Sequence, residues 1–278
     1  MTQKSKPINA CESTIDRWAS QPLKTSAKDF LAAIRSEIPV SLIATPRNEI
    51  ICESKRNWKS IDSNPKFIDF DQVPLIDKER HIVGVYLREK GCLDLREDMF
   101  MAADAPLLSF LESADKDRFR FLMVDNAVSG IVTISDIQKL PVYSVLFSLV
   151  VAVEMLLMEW IRKTCRTNPN EWLSQLSKND RNRIEGYWQD AVSENLAIDH
   201  LSCASFGQEI KAAKSLGLFK NNDSQFENIK ALEKLRNKVC HAKEFASNLP
   251  QALKIPSEAR NAHSIIIWLQ EQNGTNPV

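Results

Sequence analysis

Phe119-Arg-Phe-Leu-Met-Val-Asp-Asn-Ala-Val-Ser-Gly-Ile-Val-Thr-Ile-Ser-Asp-Ile137 reads as a strand, an Asp-containing turn, a strand with an internal glycine and the start of a helix. Aromatic and β-branched residues fill both runs, and the polar pair between them punctuates a hairpin. The same grammar occurs upstream in Val73-Pro-Leu-Ile-Asp-Lys-Glu-Arg-His-Ile-Val-Gly-Val-Tyr-Leu87, where a charged turn at Asp77–Arg80 joins two strand-like runs. Gly130 follows Gly84 by 46 positions (130 − 84), and a helix candidate, Ala105–Leu111, precedes the second copy. An internal repeat of this kind decides the architecture. Further upstream, Met1–Thr25 is polar with a short helical patch at Thr14–Ala19, and Lys28–Arg35 is a short helix candidate. Ile38–Ile43, closed by Thr45-Pro46, is apolar and β-branched, and is expected to be a strand entering a turn.

On these residues, 36–140 resembles a tandem pair of cystathionine β-synthase (CBS) domains, a module that usually senses adenosine nucleotides. The string Gly130-Ile-Val-Thr-Ile-Ser-Asp136 is similar to that family's Gly-hydrophobic-x-Thr-x-x-Asp signature. The resemblance implies that Thr133, with Ser135, contacts phosphate and that Asp136 contacts ribose. A strand that delivers hydroxyls to a helix N-terminus suits anions, and the same residues also suit simple helix capping. The first copy departs from the signature: aligned on Gly84, it has Leu87 in place of Thr133 and Lys90 in place of Asp136.

After Leu140-Pro141 the pattern is helical throughout. Val142–Trp160 is the most apolar stretch, but only Val142–Val153 is free of charge. That run is shorter than a bilayer requires, so a long buried helix contributing to a dimer interface is expected rather than a membrane span. Ser177 is placed to cap a helix running to Val192, Ser202–Leu216 is a second helix with Gly217 as its stop, and Asn221–Ser224 leads into a third. Asn248–Pro256 reads as a turn-rich linker, Pro256–Gln272 as a last helix and Asn273–Val278 as a tail.

In the third helix, Phe226, Ile229, Leu232, Leu235 and Val239 recur every three or four residues. It ends in Leu232-Glu-Lys-Leu-Arg-Asn-Lys-Val-Cys-His241, an Arg-x4-His string. At about 100° per residue, Asn237 and His241 share a face while Arg236 points about 140° away. A joint site therefore needs a helix end near Cys240 or a second copy of the motif from a partner subunit. The Leu-Arg-Asn-x-x-x-His string resembles the HEPN (higher eukaryotes and prokaryotes nucleotide-binding) domain family over about Pro141–Gln272. That resemblance implies an all-α bundle, a homodimer and a metal-independent ribonuclease site built from Arg236, Asn237 and His241, in many members in a defence or toxin setting. The chemistry suits the residues, because an imidazole takes a 2′-OH proton and a guanidinium braces the phosphate as it gains charge. The backbone of RNA is expected to meet Lys178, Arg181, Arg183 and Lys238, together with Lys211, Lys214 and Lys243.

The sequence thus predicts an α+β fold in three parts: a polar segment 1–35, a CBS-pair-like domain 36–140 and a HEPN-like helical domain 141–278. Charge is balanced, with 36 basic against 36 acidic residues, so nucleic acid has to be met by a local face and not by a global field. The six cysteines form no C-x-x-C pair and do not cluster with histidine, which points away from a disulfide framework and from a zinc site. No apolar leader stands in Met1–Ser20, so a cytoplasmic location is expected. Two functions fit: a ribonuclease that leaves a cyclic phosphate, needs no cofactor and is regulated by an adenosine nucleotide, or a non-catalytic nucleotide-sensing regulatory or interaction protein in which the Arg-Asn-His set only binds a nucleotide or a partner protein.

Overall fold

The structure, a computed structural model, describes Asp29, Ala32 and residues 38–220, 222–240 and 246–274. Thr14–Ala19 and most of Lys28–Arg35 lie outside the described residues. The chain is α+β, with strands in its N-terminal part and helices after them. It forms two compact units, one of 33–150 with 234–264, the other of 1–32, 151–233 and 265–278.

The first unit contains two four-stranded sheets. One has the order β2 (Glu53–Ser54), β3 (Gln72–Ile76), β4 (Ile82–Leu87), β5 (Gly91–Leu93). The other has the order β1 (Thr45–Pro46), β8 (Ala127–Thr133), β7 (Phe119–Val124), β6 (Phe100–Ala102). The repeat is visible in the ladders. In each copy a short strand runs parallel to the next, β2 to β3 and β6 to β7, and that strand then turns back antiparallel, β3 to β4 and β7 to β8. The crossover is made by 3₁₀ turns at Lys55–Ser63 and Pro65–Phe67 in the first copy and by α1 (Leu107–Leu111) in the second. Even the irregularities correspond. The register shifts after Leu75 in one copy and after Leu122 in the other, 47 positions apart (122 − 75), and these residues face Gly84 and Gly130.

Both glycines are demanded by close approach. A Cβ on Gly84 would stand 2.9 Å from the carbonyl oxygen of Leu93 in β5, and one on Gly130 2.8 Å from that of Thr45 in β1. Side-chain alternation along the strands builds two layers of core. Val73, Leu75 and Tyr86 pack with Ile61 and Phe67 of the 3₁₀ turns. Val85, on the opposite face of β4 from Tyr86, packs with Phe119, Phe121 and Ile131 of the other sheet.

One expectation fails here. Ile38–Ile43 is not a strand: Pro39 makes a single bridge to Pro106, and Val40–Leu42 is a 3₁₀ turn. Val40 and Ile43 are fully buried while Leu42 is 60% exposed, so the apolar pair follows a spacing of three, and β-branching alone did not decide the backbone.

The helices are α2 (Leu140–Thr164), α3 (Glu171–Ser174), α4 (Lys178–Ser193), α5 (Phe206–Ser215), α6 (Asp223–Cys240), α7 (Leu249–Ala252) and α8 (Ile255–Gln272). Among the described residues α2 is the one helix long and apolar enough to cross a membrane, and half of its most apolar window is buried within the fold. Val142, Val145, Leu146, Val150, Val153 and Leu157 are fully buried, as in a core helix. Ser177 caps α4 by accepting from the Asp180 N–H. Ser205 and Gln208 form a capping box on α5. Gly217, at φ 94°, ends α5 with the Leu218 N–H donating to the Ala213 carbonyl, a left-handed stop that disfavours a side chain. The supposed linker Asn248–Pro256 contains α7, because Asn248 accepts from the Gln251 N–H and Pro250 stands where a first-turn N–H has no helical partner anyway.

In the second unit, Arg162 donates twice to Asp199, at 2.9 and 3.1 Å, and Asn273 donates to the Leu156 carbonyl. Burial pushes the Asp199 carboxyl up, but hydrogen bonds from Arg162 and Ser202 outweigh it and hold the group at about 2.

Candidate functional site

The motif helix α6 is anchored by its apolar stripe: Ile229, Leu232, Leu235 and Val239 are all buried. With that stripe inward, Arg236 is half-buried and Asn237 and Lys238 are exposed. His241, like Lys243, lies outside the described residues. One helical turn before Asn237, the Glu233 carboxylate lies over Gly207 in the first turn of α5, where an added Cβ would displace only the tip of that flexible side chain.

The remaining basic candidates divide. Lys178, Arg181 and Arg183 are exposed on α4, and Arg183 lies over the Tyr187 ring at 5.9 Å. Lys211 is held by Asp180 at 3.2 Å, and Lys214 sits over the Phe226 ring at 3.7 Å, so both have local work. A residue that the sequence did not single out stands near the motif segment. Burial pushes the Glu258 carboxyl in α8 up, against the pull of Lys238 and Lys254, and its Oε2 is buried without a hydrogen-bond partner. Nothing in the local sequence marks Glu258 as a buried acid, although Lys254 stands only four residues before it.

Thr133, Ser135 and Asp136 stand where β8 passes into a 3₁₀ turn, Ile134–Gln138. Asp136 accepts from the Thr133 N–H at 2.7 Å and from its hydroxyl at 3.1 Å, and pairs with Lys139 at 2.7 Å. Its carboxylate is buried and fully engaged, while Ser135 is exposed.

A cavity of about 440 Å³ opens in the first unit, and those three residues are not in its wall. It is built at the corresponding end of the other copy: Leu87 pairs with Gln72 just as Thr133 pairs with Phe119. Leu87, Arg88 and Lys90 line it from that side, and Lys116, Arg118 and Arg120 from the second copy. These cations are not equivalent. Arg88 is spent on the carbonyls of Phe67, Ile68 and Phe70, and Arg120 on Asp117 and the Phe119 carbonyl. Arg118 has only Glu89 at 3.9 Å, and Lys90 and Lys116 are exposed with no hydrogen-bonded side-chain partner among the described residues. Asp71, Glu89, Asp98, Asp115 and Asp117 also line the cavity, so its charge is mixed, and what it offers an anion is the two ammonium groups and the loosely held guanidinium beside the apolar surface of Leu87 and Phe119. That combination takes a phosphate attached to an apolar or aromatic body, and the volume is within the usual range for small-molecule sites. Sequence reading missed it because Lys90 counted as a lost aspartate and not as a gained cation.

Among the described residues no group of three or more His, Cys, Asp or Glu is placed to hold a metal. No protein-family model, no curated protein and no solved structure matches the chain.

Proposed function

We propose that the chain is a metal-independent endoribonuclease, of HEPN type, controlled by a phosphate-bearing small molecule held in a CBS-pair-like module. The observation that carries the catalytic half is the placement of Arg236 and Asn237 near the end of a helix fixed by a buried stripe: Asn237 is exposed on the side away from the stripe, and Arg236 stands at its edge, half-buried with its Nε inside. Such a helix is a rigid platform for a side chain that must brace a phosphate. In the proposed reaction His241 accepts the 2′-OH proton, the 2′-oxygen bonds to phosphorus and the P–O5′ bond breaks. Arg236 stabilises the charge on the phosphoryl oxygens, Asn237 orients, and the products are a 2′,3′-cyclic phosphate and a 5′-hydroxyl, with a proton delivered to the leaving oxygen. Because Arg236 and His241 diverge on a continuous helix, two copies of the chain are proposed to complete the site. Lys178, Arg181, Arg183 and Lys238 are exposed and are proposed to meet the RNA backbone.

For the regulator, an adenosine nucleotide is the proposed ligand. The repeated parallel-then-antiparallel strand order in both copies supports the module. A nucleotide at Thr133, Ser135 and Asp136 would have to displace Lys139 and the capping hydrogen bonds, whereas the 440 Å³ cavity asks for no such exchange, so we place the phosphate by Lys90, Lys116 and Arg118. This cavity also favours a second reading, a nucleotide-sensing protein without catalysis that acts on a partner protein. The test is RNA cleavage by the full chain with and without EDTA, comparing wild type with His241→Ala and Arg236→Ala. Cleavage confined to wild type supports the ribonuclease; nucleotide binding with no cleavage in any preparation supports the second reading.

A further inference from the structure

The residues that follow the motif helix pack with the strand repeats. Arg260 of α8 donates to both carboxylate oxygens of Asp115, at 2.9 and 2.7 Å, and to the Glu112 carbonyl. His263, one turn on, meets the Glu112 carboxylate at 2.8 Å. At the other end of the same stretch, α7 packs on the Ile134–Gln138 turn. Two residues of this attachment are also walls of the 440 Å³ cavity: Leu249 of α7, and Asp115 itself.

Asp115 is one of five acidic residues in the wall: Asp98, Asp117 and Glu89 are paired with Arg96, Arg120 and Arg118, Asp71 is exposed, and Asp115 stands next to the cations that an anion would need. A bare carboxylate beside Lys116 and Arg118 would repel a phosphate and compete for its cations. The bidentate guanidinium of Arg260 neutralises it, and holds the carboxyl below the usual carboxylate range. We propose that Arg260 is a specificity-determining residue of the cavity, which makes the cavity able to accept a phosphate-bearing ligand only while the 249–263 stretch is docked. Anion binding and docking then reinforce one another, since linkage between two equilibria is reciprocal. The signal reaches the chain that leads back to Arg236 through Leu249, Asp115 and Arg260. This rests on the ligand part of the reading above and not on its ribonuclease part.

Calorimetric titration of the full chain with AMP and with inorganic pyrophosphate tests it, alongside amide hydrogen exchange over 249–263. Arg260→Ala is expected to weaken binding of both probes by roughly 10-fold or more, in the range of ordinary coupling between sites. Asp115→Asn keeps the shape of the wall and removes its charge, so it is expected to bind at least as tightly as wild type. The double variant Asp115→Asn/Arg260→Ala recovers the affinity that Arg260→Ala loses, which a purely structural role for Arg260 would not give. The probes slow exchange over 249–263 in wild type and do so less in Asp115→Asn. Should Arg260→Ala fail to fold, the Asp115→Asn affinity and exchange pattern decide the matter alone. Equal binding in all four proteins overturns the coupling and leaves the ligand site standing. Absence of binding to wild type removes the ligand site, and the coupling with it.

Discussion

Replacing Gly130 by alanine adds a methyl group at a point where a Cβ would stand 2.8 Å from the Thr45 carbonyl oxygen. Comfortable carbon contacts lie near 3.5 Å, so about 0.7 Å of separation has to be found. The obstacle is backbone, not the tip of a flexible side chain, and it is tied into the sheet through the Thr45↔Ile131 and Pro46↔Gly130 pairs. Either β1 lifts from β8 or β8 bends into a buried core that holds Ile131 and Val132. Overpacking of this type costs about 1–3 kcal/mol, and in a chain of this size each kcal/mol lowers Tm by about 2–4 °C. Alanine is otherwise the better residue in a strand interior, so the steric term opposes a small entropic gain. Thermal and urea unfolding of Gly130→Ala, with Gly84→Ala in the first copy beside it, are expected to show losses of similar size, since the Leu93 carbonyl stands 2.9 Å from the second site. A Gly130→Ala protein as stable as wild type would refute the claim that edge-strand contact is what selects glycine at the repeat position.

Gly186, exposed in α4 with nothing within 4 Å of an added Cβ, gives the opposite sign: Gly186→Ala should stabilise by roughly 0.4–1 kcal/mol, read from the same unfolding curves. His241→Ala and Arg236→Ala should each lower RNA cleavage by about 10²-fold or more with the circular dichroism spectrum unchanged, and EDTA should leave wild-type cleavage as it was. The raised carboxyl of Glu258 stabilises the fold below the ordinary glutamate range and that contribution is lost as pH rises through its folded value, so Glu258→Gln should gain Tm relative to wild type as pH increases from 4 to 7. A difference that stays flat over this interval would mean that the carboxyl is ionised and solvated.

What the sequence made legible was periodicity. The 46-residue spacing of Gly84 and Gly130, the three-to-four spacing from Ile229 to Val239, the cap at Ser177 and the stop at Gly217 are local signals, and the elements they announce are there, though the helix expected from Ser202 begins at Phe206 after a separate 3₁₀ turn at His200–Cys203. What stayed hidden depends on residues distant in sequence. Arg260 meets Asp115 across 145 positions, and the cavity draws its wall from 71–72, 87–99, 115–120 and Leu249. Ile38–Ile43 misled because β-branching describes what a strand tolerates, while burial of Val40 and Ile43 fixed the turn. At Thr133–Asp136 one short string is equally a capping box and a ligand-binding signature, and only the partners of the carboxylate separate the two.

Strand β1 comes before every strand of the first copy, yet it pairs with β8, the last strand of the second. The Arg47 N–H continues that ladder to the Ser129 carbonyl, and Lys139, just past the second copy, donates back to the Ile43 carbonyl. The two repeats are therefore interlocked by connectivity: no single cut of the chain yields two pieces that each keep a complete sheet. A fragment beginning at Glu53 would retain every residue of the second copy and still present β8 as a bare edge, ready to pair with another molecule. Excision of either copy as an independent sensor would have to carry 38–47 along as a graft, and a circular permutant that joins this segment directly after β8 is the arrangement in which the second repeat closes on itself.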